Sequence, residues 1–335
     1  MRNDGREDRA ISRRGFIRRS GTVVGVLLGA NPRRTVAAQG QAIDPTVPPE
    51  LDSTYEYYCP QLVEITRPGP IILPDGTSQC SWSRRPYLDL NFEEAAFYPV
   101  RSVQRLRMKK WDMYHVITPD HYVSFLVAWI GYAAFCSAQV YDRRTRETLE
   151  DIHIRPADPE FPMMRDSTAG RTEYRSKKVN ASFEVDGEFR RIRVEFPSFA
   201  GIGLFAEINL HHPADHESIC GTHLTNPKRA HYGHKIVCMA AVGDLRLARQ
   251  TYRLDRRDAF GMLDFGRGYY PDRTFWYWAT TCGRDETGKP IGFNLGYGNS
   301  PSDEGENAVL YDGRLHKIGP THCRVPRCDL STPPH

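Results

Sequence analysis

The chain has 335 residues, of which 40% are apolar, 11% aromatic and 26% charged, and its formal net charge is +4. This composition excludes a disordered chain and leaves room for one large or two ordinary domains. The longest nearly unbroken apolar run, Phe125 to Phe135, is too short for a transmembrane helix, so no membrane span is expected in the mature chain.

At the N-terminus, Ser12-Arg13-Arg14-Gly15-Phe16 forms a twin-arginine pattern. A mildly apolar stretch, Gly21 to Ala30, and a small-residue run, Val36-Ala37-Ala38, follow it. Paired arginines ahead of a weakly apolar core act as an export address. Residues 1–38 are therefore expected to be a signal peptide, with the twin-arginine translocase as its partner. The mature chain is then expected in the periplasm, at the cell surface or outside the cell. The segment holds nine Arg and three acidic residues, so taking its +6 from +4 leaves −2 for the remainder. The basic balance belongs to the leader, and no nucleic-acid partner is indicated.

Residues 39–50 are Pro-rich and read as a linker. All eight cysteines, at 59, 80, 136, 220, 238, 282, 323 and 328, follow the leader and none forms a C-x-x-C pair. An even count in an exported chain permits disulfides, while buried thiols acting as small apolar residues are the alternative.

From Leu51 onward the hydrophobic period is two. A short helix fits between Phe92 and Arg107, interrupted at Pro99. Phe183 and Val185 lead to Asp186-Gly187, a hairpin signal before the alternating Ile192, Val194 and Phe196. Ile202, Leu204, Ala206, Ile208 and Leu210 form another alternating set. Gly243-Asp244 reads as a turn between Lys235–Val242 and Leu245–Leu254. Ile291, Phe293, Leu295 and Tyr297 alternate with small or polar residues, and Asp312-Gly313 is the last hairpin signal. Alternation broken by D-G turns points to antiparallel sheet closed as a barrel or sandwich.

Several residue groups are candidates for chemistry. Asp264 lies among apolar neighbours, where desolvation suits a general acid; alternatively it forms a structural pair with Arg267. Glu306 and Asn307 follow a polar loop and, with Asp264, make a candidate two-carboxylate acid/base site. His211, His212, His216, Glu217 and His223 form the densest histidine group. Pro213 argues for a loop there, so no metal is expected, and His216 is a candidate general base. Trp276 and Trp278, with Tyr269 and Tyr270, either stack on a flat ligand or pack a core. Arg84-Arg85 and Lys109-Lys110, beside Trp82 and Trp111, suit a headgroup anion with an apolar body, or plain cation–π packing. No nucleophile elbow, Walker loop or dinucleotide fingerprint occurs, and no cofactor is expected.

Ser81-Trp82-Ser83-Arg84-Arg85-Pro86, Lys109-Lys110-Trp111-Asp112-Met113-Tyr114 and His216-Glu217-Ser218 resemble, in order, motifs of a bacterial family of unknown function. Leu263 to Pro271, Trp276-Tyr277-Trp278, Gly292 to Gly296 and Glu306-Asn307 continue the order. That family is remotely similar to the lipocalin-like group of AttH and carotenoid 1,2-hydratase. The resemblance implies an all-β fold of two tandem lipocalin-like antiparallel barrels, over 51–225 and 226–335, the second curtailed. It implies a ligand cavity and draws Tyr114, Arg267, Asn294 and Asn307 into the set of ligand-binding candidates. In the hydratase-like relatives the strand matching Met262–Gly268 resembles an acid-His-x-x-Gly pattern; here Asp264 is followed by Phe265. The expected function is that of an exported protein binding an apolar or amphiphilic small molecule, such as a lipid, isoprenoid or sugar-like ligand, in a β-barrel cavity. The alternatives are a cofactor-free hydratase, lyase or isomerase using the carboxylate pair, and a structural exported protein whose aromatics are all core.

Overall fold

The computed structural model describes residues 62–156, 161–226, 229–270, 277–297 and 305–321. The leader, the linker, Cys59, Trp276, Cys323 and Cys328 lie outside them.

Short pieces open the described chain: β1 (Val63–Glu64), β2 (Gly69–Pro70), β3 (Ser81–Ser83) and β4 (Leu88–Asp89). A 3-10 turn at Phe92–Glu94 and the helix α1 (Arg101–Arg107) occupy the segment where a Pro-broken helix is expected. Four long strands follow, β5 (Met108–Ile117), β6 (His121–Trp129), β7 (Ala133–Asp142) and β8 (Thr148–Pro156). A second run comprises β9 (Gly170–Arg175), β10 (Asn180–Asp186), β11 (Phe189–Phe196), β12 (Leu204–His211), β13 (Ile219–Asn226) and β14 (Arg229–Leu247). β15 (Gln250–Leu254) and β16 (Phe260–Tyr269) complete the large sheet, and β17 (Tyr277–Arg284), β18 (Pro290–Tyr297), β19 (Ala308–Tyr311) and β20 (Arg314–Lys317) form a smaller one.

The large sheet runs β8-β7-β6-β5-β16-β14-β12-β11-β10-β9, with β13 and β15 on the two halves of β14. It curls until its edge strands meet through side chains: the Tyr174 hydroxyl on β9 lies 2.7 Å from His153 Nδ1 on β8. Alternation sends Tyr114, Phe125, Phe183, Ile192, Val194, Ile208 and Leu210 inward, each no more than 1% exposed. These side chains pack the middle of the curl, and a concavity of about 560 Å³ remains at the inner side of β5 and β16, beside α1 and the 3-10 turn. Arg267 and Asp112 are buried on this inner side as an ion pair at 2.7 Å.

The small antiparallel sheet covers the opposite face of the large one. Val237 of β14 and Phe260 and Met262 of β16 meet Cys282, Leu310 and Leu315 in a second apolar cluster. Two expectations are corrected here. The boundary at residue 225 falls inside the β13–β14 hairpin, and β14 and β16 are central strands of the first sheet. Among the described residues, the chain beyond 226 thus supplies the middle of one sheet and a four-stranded cover rather than a separate second barrel. Gly243-Asp244 is no turn. Gly243 sits within β14 at φ +137°, where an added Cβ would lie 2.1 Å from the Glu207 carbonyl oxygen, and the chain reverses at Ala248. The Asp312-Gly313 hairpin forms as expected, both residues at positive φ (51° and 78°).

Candidate functional site

The face of β14, β16 and β5 that turns away from the inside of the curl carries a group of buried ionisable side chains. Lys235 and Asp264 are register partners on β14 and β16. Strand parity puts Asp264, Met262 and Gly266 on this face, and Leu263, Phe265 and Arg267 on the other. Positions 264 and 267 are three apart in an extended strand, so the alternative Asp264–Arg267 pair does not form. Arg267 instead donates to Asp112 at 2.7 Å and to the carbonyls of Trp111 and Met164 at 2.7 and 2.8 Å.

Lys235 Nζ donates to Asp264 Oδ1. On its other side it lies 3.5 Å from Glu306 Oε2, which arrives from the loop before β19. The side chains of Lys235, Asp264 and Glu306 are only 8%, 15% and 18% exposed. The two carboxylates proposed as an acid/base pair are therefore brought to one ammonium, from the large sheet and from the cover. Glu306 Oε1 is also 3.6 Å from His223 Nε2 on β13. Three glycines make the space. A Cβ on Gly233 would lie 1.8 Å from Glu306 Oε1, one on Gly221 3.0 Å from Glu306 Cγ, and one on Gly266 2.2 Å from the Trp111 ring.

Burial disfavours the charge on Glu306, but Lys235, with the His223 hydrogen bond, more than offsets it and holds the carboxyl down at about 2. Burial opposes the Lys235 charge too, and Asp264 and Glu306 together raise its pKa, so it stays an ammonium. His231 is held neutral, far below the usual histidine range, by burial and by the nearby His223. Its ring stacks on Tyr270 at 4.2 Å and on His223 at 4.9 Å, and neither of its nitrogens has a hydrogen-bond partner.

Aromatic side chains enclose the group. Trp111 Nε1 donates to Asp264 Oδ1 at 3.0 Å, and its ring lies 4.9 Å from that of Tyr270. The Trp278 ring lies 5.9 Å from Lys235 Nζ and 5.1 Å from the His115 ring. Its indole donates to Asn294 Oδ1 at 2.8 Å, and Asn294 Nδ2 donates to the Glu306 carbonyl at 2.9 Å, tying the loop to β18. Trp111, Tyr270, Trp278 and Asn294 therefore gather around the carboxylate pair.

Other candidates lie elsewhere. Tyr114 is inside the curl against Phe183, and Lys110 and Arg267 are register partners facing that same side. Asn307 is fully buried and accepts from Gly296 N at 2.6 Å, pinning the loop. Arg85 donates to the carbonyl of Ala214 at 2.6 Å, and Trp82 packs into the second apolar cluster under Arg84 and Lys317. His216 sits against Gly313, at the opposite end of β19 from Glu306. Trp276 lies outside the described residues. Among the described residues no cluster of three His, Cys, Asp or Glu has a metal-holding arrangement. Lys235, His231 and His115 were not singled out from the sequence. A signal was available in the lysine, next to His234, that heads the apolar run Ile236 to Val242.

These features define an all-β protein of curled antiparallel sheet with a buried ionic centre under a second sheet. The chain belongs to the family described as a domain of unknown function, DUF2804, whose model matches residues 62–334. Two solved structures match parts of the chain. One is a protein assigned as AttH from Nitrosomonas europaea, with 13% identity and a TM-score of 0.38, covering 64% of this chain and 68% of its own. The other is kievitone hydratase from Nectria haematococca, with 10% identity and a TM-score of 0.36, covering 62% of this chain and 63% of its own. A comparison with curated proteins finds no match.

Proposed function

We propose that the protein is a cofactor-free acid–base enzyme of the hydratase, lyase or isomerase kind, acting on a neutral small molecule at the Asp264–Lys235–Glu306 centre. The observation that carries this reading is the convergence of two carboxylates, from different sheets, on one buried ammonium.

The three groups carry a formal charge of −1 and sit among the rings of Trp111, Tyr270 and Trp278. That environment repels anions and suits a reacting group that gives up a proton or gains positive charge. One carboxylate takes a proton from the substrate or from an attacking water, and the ammonium steadies the oxygen on which charge develops.

The test is incubation of the mature protein in D2O with the neutral small-molecule extract of its host, read by mass spectrometry. Deuterium uptake or a mass change of one water in a specific compound, lost in Asp264→Asn and in Glu306→Gln, is the expected result. No deuterium uptake and no mass change of one water in any compound of the extract would overturn the reading. We further propose export by the twin-arginine route, supported by Arg13-Arg14 and the segment after them. Cell fractionation checks it: Arg13→Lys with Arg14→Lys should retain the protein in the cytoplasm.

A further inference from the structure

A concavity of about 560 Å³ opens on the other side of the β5–β16 pair, between those strands, α1 and the 3-10 turn. The volume falls within the usual range of small-molecule sites. Its ionisable lining is one-sided: Arg101, Arg105, Lys110, Arg165 and Arg267 against a single carboxylate, Glu93. That carboxylate is engaged, since Arg165 reaches Glu93 and Asp89 at 3.0 Å each. Arg267 is engaged by Asp112. Lys110 differs from both. Its ammonium lies 5.4 Å from the centre of the Trp129 ring, and among the described residues no carboxylate comes within ion-pair distance of it. Burial, and then the positive charge of Arg267, depresses its pKa, as expected for a cation that lacks its anion. Two further donors on lining residues, the Trp129 indole N–H and Arg267 Nε, are buried without an acceptor. The remaining wall is apolar and aromatic, formed by Phe92, Trp129, Phe161 and Tyr269.

Unused donors, the Lys110 ammonium and a ring-lined wall have one chemical complement, a molecule with an anionic head and an apolar body. We propose that this cleft is a binding site for an amphiphilic anion, its carboxylate or phosphate head at Lys110 and its apolar chain along Phe92, Trp129 and Phe161. The site is separate from the ionic centre, whose formal charge is negative and which lies across the sheet. The two share a link, because Arg267 on the cleft side donates to the carbonyl of Trp111, whose indole reaches Asp264.

Isothermal titration of the full chain with dodecanoate, dodecyl phosphate, dodecanol and dodecyltrimethylammonium, each below its micelle concentration, tests the proposal. One or both anions should bind one to one, at least tenfold more tightly than the alcohol, with no binding of the cation; the tighter anion identifies the head group. Lys110→Gln should weaken anion binding about tenfold or more and leave dodecanol unchanged, and Lys110→Arg should restore it. Equal binding of all four probes, binding of none, or an equal loss of anion and alcohol in Lys110→Gln would overturn the proposal. None of these outcomes depends on Asp264 or Glu306, so the acid–base reading stands or falls separately.

Discussion

Replacing Lys235 by Met removes a buried cation while keeping most of the side-chain volume. At 3.5 Å from Glu306 Oε2 and an effective dielectric constant near 20, the lost attraction is about 5 kcal/mol for that carboxylate alone. The relief of no longer desolvating the ammonium offsets part of it, and breaking a buried pair typically leaves a net loss of about 3–5 kcal/mol. The pH dependence makes the argument specific. In the wild type Glu306 is held at about 2 against an ordinary 4.5. A lowered carboxyl pKa contributes stability that is present above the unfolded value and is lost as pH falls from about 4.5 to 2. The shift corresponds to about 3 kcal/mol. In Lys235→Met burial acts unopposed by the ammonium, Glu306 titrates above its ordinary value, and the sign reverses: the variant gains on the wild type as the carboxyl protonates. Urea unfolding at pH 7, 5 and 3 should therefore show a gap of about 3–5 kcal/mol at neutral pH that narrows steadily toward pH 3. A gap below about 1 kcal/mol at pH 7, or one independent of pH, would refute the electrostatic reasoning and leave only a packing defect.

The remaining predictions concern the same two faces of the sheet. Gly233→Ala places a methyl where Glu306 Oε1 now lies, so it should expel that carboxylate and abolish turnover while the fold survives; a variant with unchanged turnover would show that Glu306 is not needed at this position. Asp112→Ala leaves Arg267 as an unpaired charge that is 2% exposed and should lower stability by about 3–5 kcal/mol in urea unfolding, whereas a loss under about 1 kcal/mol would contradict the burial argument. Burial pushes His115 down to about 4 and His212 to about 3. Both are thus neutral in the fold and protonated in the unfolded chain below about 6.5, and their contribution is present above that pH and lost on acidification. Stability should fall between pH 6 and 4 with a slope near 1.4 kcal/mol per pH unit for each, and His115→Asn should reduce that slope by one proton's worth; an unchanged slope in that variant would contradict it.

Local pattern alone was enough for the class of the fold. Alternation of period two marked β10, β11, β12 and β18, the Asp312-Gly313 pair supplied the two positive φ angles of a tight hairpin, and Pro99 separated the 3-10 turn from α1. These features depend on neighbours within a few residues, which a linear reading contains. The Asp264–Arg267 pair expected as an alternative fails on parity, since residues three apart in a strand face opposite sides once the strand is known to run through both. Tertiary structure decided the rest. Gly243 looked like a turn because glycine and aspartate favour turns. It is instead a point in β14 where the Glu207 carbonyl of the next strand approaches too closely for any side chain, a distance set by a partner more than thirty residues away. How far the curl was filled depended on how Tyr114, Phe125 and Phe183 interdigitate, which is a property of volumes in three dimensions. Asp264 and Glu306 are 42 positions apart and come to Lys235 from different sheets. Only the packing of the second sheet on the first creates that meeting, because an ion pair forms by distance in space and the distance along a chain does not determine it.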